Sequence, residues 1–167
     1  MRHNNKKSAK KGHNQEYWMY GYHAVAAALS SNSRVKTELL ITAETHKRLK
    51  SDKITNIPSG LKVSISQKNE IEHVLGKGFN HQGLCLKVEK KRKLNIEDFL
   101  KSQKSDKSYI VILDQLEDTQ NVGAIFRSAL AFNIDGIILT ENQSVGENHF
   151  MAKTACGGID KVSFTTV

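Results

Sequence analysis

Apolar and polar residues alternate with short periods over the first half of the chain, in a pattern typical of a small α/β protein. Segments with helical periodicity alternate there with segments typical of strands. The helical patterns span 21–31, 44–51 and 67–76, and the strand patterns span 36–42, 61–66 and 83–88. We predict one small α/β unit over residues 17–88.

The second half is built on longer apolar runs. YIVILD (109–114) and DGIILT (135–140) are continuous, which is typical of strands covered on both faces. A helical stripe at 121–132 lies between them, so this part predicts a βαβ unit with a parallel sheet. A helix at 145–156 and a strand at 161–167 follow. Because the sequence stops in that strand, we expect residues 109–167 to be an incomplete unit whose last strand lacks a neighbour.

Two polar, basic segments flank these units. Residues 89–108 predict a linker with one short helix. Residues 1–16 are of low complexity and predict a disordered basic arm. The arm holds five of the cations behind the net charge of +8, and no acid before Glu16. This excess of positive charge favours a polyanionic partner such as nucleic acid.

Cysteine and histidine usage predicts neither disulfides nor a metal site. Cys85 and Cys156 are two isolated thiols, which favours a reducing, cytoplasmic location, and we expect Cys156 to pack in the core. His73 and His149 lack neighbouring ligands and are interpreted as ordinary surface or packed residues. Since the chain has no stretch near the roughly 20 apolar residues of a spanning helix, we expect no membrane segment.

The segment 113–136 carries most of the candidate chemistry. A stripe of apolar side chains from Val122 to Leu130 faces the sheet, and Asn121 stands where a helix cap would stand. Gly123 and Arg127 are four residues apart, so Arg127 is predicted to lie over the bare glycine and reach the helix mouth. Helix mouths favour anions, and this one follows a parallel strand, which predicts a phosphate site.

Simpler interpretations of the same residues stay open. In these interpretations Asn121 is only a helix cap, and Arg127 is a solvated side chain paired with Glu117 or Asp118. His81 and Gln82 offer hydrogen-bonding groups to RNA, or they form the turn before the strand at 84–88. The run containing Lys90, Lys91 and Arg92 is either an RNA contact or a solvated strand end.

The string from Asp118 to Ala129 resembles the first signature motif of the SpoU (TrmH) family of RNA ribose 2′-O-methyltransferases, in the knotted SPOUT superfamily. YGYHAVAAAL (20–29) and HQGLCLKV (81–88) resemble its amino-terminal RNA-binding domain. Residues 144–167 resemble the subgroup that methylates a guanosine ribose in large-subunit rRNA. Thr119 stands where the family has proline, and the second and third motifs, which form the knot and bind the cofactor, would follow Val167.

The resemblance implies an activity and its participants. The cofactor would be S-adenosylmethionine, although its binding motifs are missing from this chain, which is therefore expected to be inactive or incomplete alone. The substrate would be RNA, ribosomal rather than transfer, and the family forms homodimers. Asn121 and Arg127 would be the catalytic residues. A guanidinium keeps its proton below about pH 12, so we expect Arg127 to position phosphate and stabilise developing charge rather than act as a base.

The predicted RNA contacts lie in three segments. They are Lys6, Lys7, Lys10 and Lys11 in the arm, His81 and Gln82 in the small unit, and Lys90, Lys91 and Arg92 after it. The alternative function is a non-catalytic RNA-binding module that performs no chemistry. A helix-turn-helix DNA-binding protein is disfavoured, because no pair of short helices is followed by a basic recognition helix.

Overall fold

Two sheets organise the residues that the computed structural model describes, which are 15–54, 57–103, 107–140 and 146–167. The first sheet is mixed and has the order β1-β4-β2-β3. Its strands are β1 (Glu16–Tyr20), β2 (Lys36–Ile41), β3 (Lys62–Ile65) and β4 (Leu84–Glu89). Strands β2 and β3 are parallel, whereas β4 runs antiparallel to β1 and β2.

Three helices accompany this sheet: α1 (Tyr22–Ser30), α2 (Ala43–Ser51) and α3 (Lys68–Leu75). Helix α2 begins directly after β2, where the Thr42 hydroxyl accepts a hydrogen bond from the Thr45 amide. Helix α3 begins just after β3 with a capping box between Gln67 and Glu70. Because β2 and β3 are parallel, both helix N-termini lie at the same edge of the sheet.

The second sheet contains β5 (Ile110–Leu113), β6 (Gly136–Leu139) and β7 (Ser163–Thr166), all parallel and in that order. Helix α4 (Ile96–Lys101) precedes this sheet and is the short helix predicted in the linker. Helix α5 (Thr119–Ala131) connects β5 to β6, while α6 (His149–Ala155) and α7 (Gly158–Lys161) connect β6 to β7. The predicted α/β fold with a parallel sheet is confirmed.

Several element boundaries differ from the prediction. Strand β1 begins at Glu16, which pairs with Glu89, so the arm predicted over 1–16 gives way to the sheet at its last residue. The short helix α7 was not predicted, because Gly157 caps it and Gly158 is its first residue, and glycine disfavours helix. Helix α6 begins at His149 rather than 145, since the Asn148 side chain caps it by accepting from the Met151 amide at 3.0 Å. The arm lysines at 6, 7, 10 and 11 lie outside the described residues.

The sequence placed the unpaired edge of the parallel sheet at its last strand, β7, whereas the structure places it at β5. The outer edge of β7 does not lack a neighbour, because Leu94 forms a parallel bridge with Thr165 and accepts a 2.6 Å hydrogen bond from its hydroxyl. Strand β5 was expected to be covered on both faces, but Ile112 is 66% exposed. Among the described residues β5 pairs only with β6, so the open, partly apolar edge is at β5.

One hydrophobic core runs through both halves of the molecule. It joins Val25 and Leu86 of the N-terminal unit (17–88) to Phe126, Ile137 and other residues of the C-terminal unit (109–167). Helix α6 packs on β1, and α1 packs on α6 and α7. The two units are therefore held together by apolar packing as well as by the chain between them.

A buried polar cluster, here called the seam, crosses the same boundary and consists of Tyr17, Arg34, Lys91, Glu147 and Asp160. Arg34 Nε donates to Asp160 Oδ1 at 2.7 Å, and Arg34 Nη1 donates to Glu147 Oε1. All three side chains are almost fully buried. Burial opposes the charge on Arg34, but the Glu147 and Asp160 carboxylates and Tyr17 outweigh it and raise the pKa of Arg34.

Candidate functional site

Helix α5 presents the residues of the signature motif. Its apolar face, with Val122, Phe126 and Ala129, is buried against the parallel unit. The helix starts earlier than predicted because Asp118 is its cap, and the Asp118 carboxylate accepts from the Gln120 amide at 2.7 Å. Asn121 therefore lies inside the first turn and is exposed. The prediction that Asn121 caps the helix is wrong.

Gly123 serves helix packing rather than access for Arg127. A Cβ atom at Gly123 would lie 2.7 Å from the Met151 carbonyl and 2.9 Å from Thr154 Cβ, both in α6. Only glycine lets α5 and α6 approach this closely. The predicted placement of Arg127 over the bare glycine is wrong, since α6 already covers it.

Arg127 is exposed on α5, and neither Glu117 nor Asp118 forms an ion pair with it among the described residues. Asn121 and Arg127 are six positions apart, which separates them by about 9 Å along the axis and about 120° around it. The fold therefore presents both side chains to solvent but does not bring them together on one face of α5.

The mouth of α5 is acidic. Asp118 occupies the capping position, and Asp114 and Glu117 precede it in the loop after β5. The Thr140 hydroxyl donates to Asp114 Oδ1 at 3.3 Å, which ties this loop to the end of β6. The Asp118 carboxylate already accepts from the Gln120 amide, and these acidic side chains repel a further anion, so the phosphate site predicted at this mouth is not formed as expected.

The α2–α3 cleft, a second candidate site, lies in the N-terminal unit at the N-terminus of α2. This cleft is about 460 Å³ in volume, and its polar wall includes Arg48, Lys68, Glu72, Asn80, His81 and Gln82. The cleft brings His81 and Gln82 together with side chains that the sequence did not single out. Asn80 carried no signal beyond its place next to His81.

His81 and Gln82 have different surroundings. The His81 ring is buried, and its Nδ1 accepts from the Gly83 amide at 3.1 Å. Burial lowers the pKa of His81, although Glu72 partly opposes this shift. The exposed Gln82 accepts through Oε1 from the Tyr22 amide and from Lys153 Nζ, both at 2.9 Å. Gln82 thus links α1 to α6, a structural role that the sequence did not reveal.

The three consecutive basic residues after β4 are not equivalent. Lys90 contacts Gln15 through Nζ, and Arg92 is exposed. Lys91 is turned inward, where Nζ donates to the carbonyls of Ile159 at 2.9 Å and Val162 at 3.2 Å. Burial lowers the pKa of Lys91. We therefore remove Lys91 from the predicted RNA contacts and assign it to the seam.

Cysteines and histidines form no metal site in the described part of the chain, where no group of three or more candidate ligands comes together. Cys85 is buried. Cys156 is exposed and takes a left-handed conformation at the end of α6, so its predicted core position is wrong. His149 is partly buried among Tyr20, Phe79 and Phe150.

The cavity next to the parallel sheet is small and has three lysines in its wall. A cavity at the carboxyl ends of β6 and β7 has a volume of about 170 Å³ and is lined by Lys90, Lys91 and Lys93. Small-molecule sites usually have volumes of about 300–1,000 Å³. The Glu147 carboxylate lies in the same wall as the three lysines. No helix in the described ranges is long and apolar enough to span a bilayer.

Comparison with known proteins relates the chain to RNA-modifying enzymes. The chain is 30% identical over 153 residues to the 23S rRNA (guanosine-2′-O-)-methyltransferase RlmB of Neisseria meningitidis, covering 89% of this chain and 60% of that protein. It is 31% identical over 154 residues to the protein of the same name from Acinetobacter baylyi, covering 91% and 61%. The chain thus spans about three fifths of the length of these curated relatives.

Solved structures show the same fold at low sequence identity. The SpoU methyltransferase AviRb from Streptomyces viridochromogenes, in complex with AdoMet, superposes with a TM-score of 0.67 at 14% identity, covering 91% of this chain and 55% of that one. Two family models match in tandem. RNA 2′-O ribose methyltransferase substrate binding covers residues 18–94, and the SpoU rRNA Methylase family covers residues 108–167. The chain therefore belongs to the SpoU family.

Proposed function

We propose that the protein is an S-adenosylmethionine-dependent RNA ribose 2′-O-methyltransferase that acts on ribosomal RNA. The observation that carries this proposal is the tandem order of a substrate-binding model and a methylase model in one chain. The names of the relatives specify a guanosine ribose in 23S rRNA. Because this chain covers about three fifths of their length, the activity is proposed for the protein and not for the described residues alone.

Arg127 and Asn121 are proposed to act on the RNA side of the reaction. The exposed Arg127 guanidinium lacks a carboxylate partner among the described residues, so it is available to an anion of the RNA. It would bind the phosphate next to the target ribose and stabilise negative charge as the 2′ oxygen attacks. Asn121 would hold a neighbouring polar group of the RNA. Methyl transfer depends strongly on alignment, so positioning is a sufficient role.

RNA would extend from the basic arm to the N-terminal unit. We propose contacts from Lys6, Lys7, Lys10 and Lys11, from His81 and Gln82, and from Lys90 and Arg92. Of these, His81 and Gln82 line the α2–α3 cleft, and Lys90 lines the lysine-rich cavity near β7. We further propose a homodimer and a cytoplasmic location, following the family resemblance and the free thiols.

One observation favours the non-catalytic RNA-binding module as a second candidate. The described residues contain a polar cleft of about 460 Å³ in the substrate-binding region, whereas the cavity next to β6 and β7 in the methylase region measures only about 170 Å³. The same protein would then hold RNA without methylating it.

Mass-spectrometric mapping of ribose methylation separates the two candidates. Ribosomal RNA from cells that lack the gene should lose methylation at one ribose, and expression of the wild-type gene should restore it. A methylation map that is identical with and without the gene would reject the enzyme and support the RNA-binding module.

A further inference from the structure

The α2–α3 cleft contains a preorganised hydrogen-bonding edge. Gly83 has a φ of +79°, and a Cβ atom there would lie 2.2 Å from Thr45 Oγ1, so only glycine fits. The Gly83 carbonyl accepts from the Thr42 amide at 2.8 Å, and the Gln82 carbonyl accepts from the Thr45 hydroxyl at 3.2 Å. These bonds fix the loop that carries His81 to the start of α2.

The tautomer of His81 follows from this fixed loop. Nδ1 accepts the Gly83 amide proton, so in the neutral ring the hydrogen is on Nε2. Burial lowers the pKa of the ring, which favours its neutral form. The nearest carboxylate oxygen, Glu72 Oε1, is 4.0 Å from Nε2 and thus beyond a direct hydrogen bond. His81 therefore presents a donor, and Glu72 an acceptor, side by side.

The charges of the cleft argue against a phosphate as its occupant. Glu44 and Glu72 balance Arg48 and Lys68, so the charged side chains in the wall sum to zero. A phosphate would gain little from such a site, whereas a neutral ring with its own donors and acceptors would match it. Phe79 adds an aromatic surface to the same wall.

We propose that the α2–α3 cleft binds one unpaired nucleobase of the RNA substrate, with His81 Nε2–H and the Glu72 carboxylate hydrogen-bonded to its Watson–Crick edge. On that edge A and C carry an amino donor beside a ring-nitrogen acceptor, whereas G and U carry a carbonyl acceptor beside a ring N–H donor, so a fixed donor–acceptor pair favours one of these orders, and sequence-specific RNA recognition uses splayed-out bases in this way. The cleft volume of about 460 Å³ lies within the usual range for small-ligand sites, about 300–1,000 Å³. The proposal rests on the proposed function, because it takes RNA as the substrate.

Two substitutions test the paired donor and acceptor. His81→Asn keeps an acceptor for the Gly83 amide and removes the Nε2 donor. Glu72→Gln replaces an acceptor-only, charged group by a neutral amide, and because the Glu72 side chain is half-exposed on α3, we expect this variant to fold normally. Glu97→Gln, an exposed acid at the start of α4, is the matched control. Thermal unfolding checks that each variant is folded.

The measurement is fluorescence anisotropy of the 167-residue chain with ten-nucleotide homopolymers of A, C, G and U. We expect both cleft variants to weaken binding of one or two homopolymers about tenfold, which is about 1.4 kcal/mol, and Glu97→Gln to leave all four unchanged. An equal loss for all four homopolymers would indicate a backbone contact and overturn the proposal. Unchanged binding by both cleft variants would overturn it as well.

Nucleoside monophosphates and inorganic phosphate distinguish the base from the phosphate as occupant. The His81 ring resonances in NMR spectra should shift with at least one nucleoside monophosphate and stay in place with phosphate alone. Shifts with phosphate alone, or no shift with any nucleotide, would reject the nucleobase site. Methylation mapping in cells with and without the gene uses no cleft variant. Failure of the proposed enzyme activity is therefore detected separately from failure of the nucleobase site.

Discussion

Arg34 and Arg127 show how differently one residue type is used in two regions of this molecule. Arg34 lies in the seam, where its side chain is fully buried and bonded to Asp160, Glu147 and Tyr17. Arg127 lies on α5, exposed and without an ion pair among the described residues. The first holds two units together, and the second is available to a ligand. Burial and partners, rather than residue type, separate a structural arginine from a candidate functional one.

The largest effect is expected from Arg34→Ala. Removal of this cation leaves the Glu147 and Asp160 carboxylates buried without their ion-pair partner, which should lower the free energy of unfolding by about 3–5 kcal/mol. Lys62→Ala breaks the exposed pair with Glu38 and should cost no more than about 1 kcal/mol. Urea denaturation measures both. Equal losses for the two variants would show that the seam is no stronger than a surface ion pair.

The second-largest effect is expected on methylation activity, with the stability of the fold unchanged. Arg127→Lys keeps the charge but loses the planar fork that grips two oxygens, so methylation should fall at least about a hundredfold. Its free energy of unfolding should stay within about 0.5 kcal/mol of wild type, as for other exposed positions. The variant is introduced into the gene in cells and ribose methylation is quantified by mass spectrometry. Near-normal methylation would show that Arg127 has no role in the reaction.

The smallest effects are expected from substitution of two adjacent lysines, Lys90 and Lys91. Lys91→Met keeps the apolar stem but removes the donor to two carbonyls, which should cost about 1–3 kcal/mol of stability. Lys90→Met should leave stability unchanged and reduce the slope of log affinity for single-stranded RNA against log salt by about 0.7. Denaturation and salt titration report on the two effects. A stable Lys91→Met variant with a reduced salt slope would return Lys91 to the RNA contacts.

Local patterns were sufficient to predict most elements of the fold. Helix α3 was predicted over 67–76 and spans Lys68–Leu75, and β6 lies inside the predicted 135–140. Periodicity and a terminal glycine are short-range signals, so the sequence carries them directly. Strand β1 was missed because its partner, β4, is some 70 residues away in the sequence, and only that pairing defines it.

The errors at the candidate site have one physical origin, which is contact between distant segments. Gly123 was interpreted from its spacing to Arg127, yet its neighbour is α6. Lys91 stands in a basic run, but the carbonyls that hold it come from residues 159 and 162. Arg34 carried no local signal at all. The wrong cap of α5 is the one error with a local origin. Asp118 and Asn121 are both good capping residues, and the helix uses Asp118.

The seam also limits modular exchange between related proteins. An N-terminal unit transplanted from a relative without an arginine at the position of Arg34 would bury two carboxylates against its new neighbour. A transplanted C-terminal unit without Glu147 and Asp160 would instead leave the Arg34 guanidinium enclosed in an apolar core. Chimeras of this fold should therefore fold stably only when Arg34, Glu147 and Asp160 are all present.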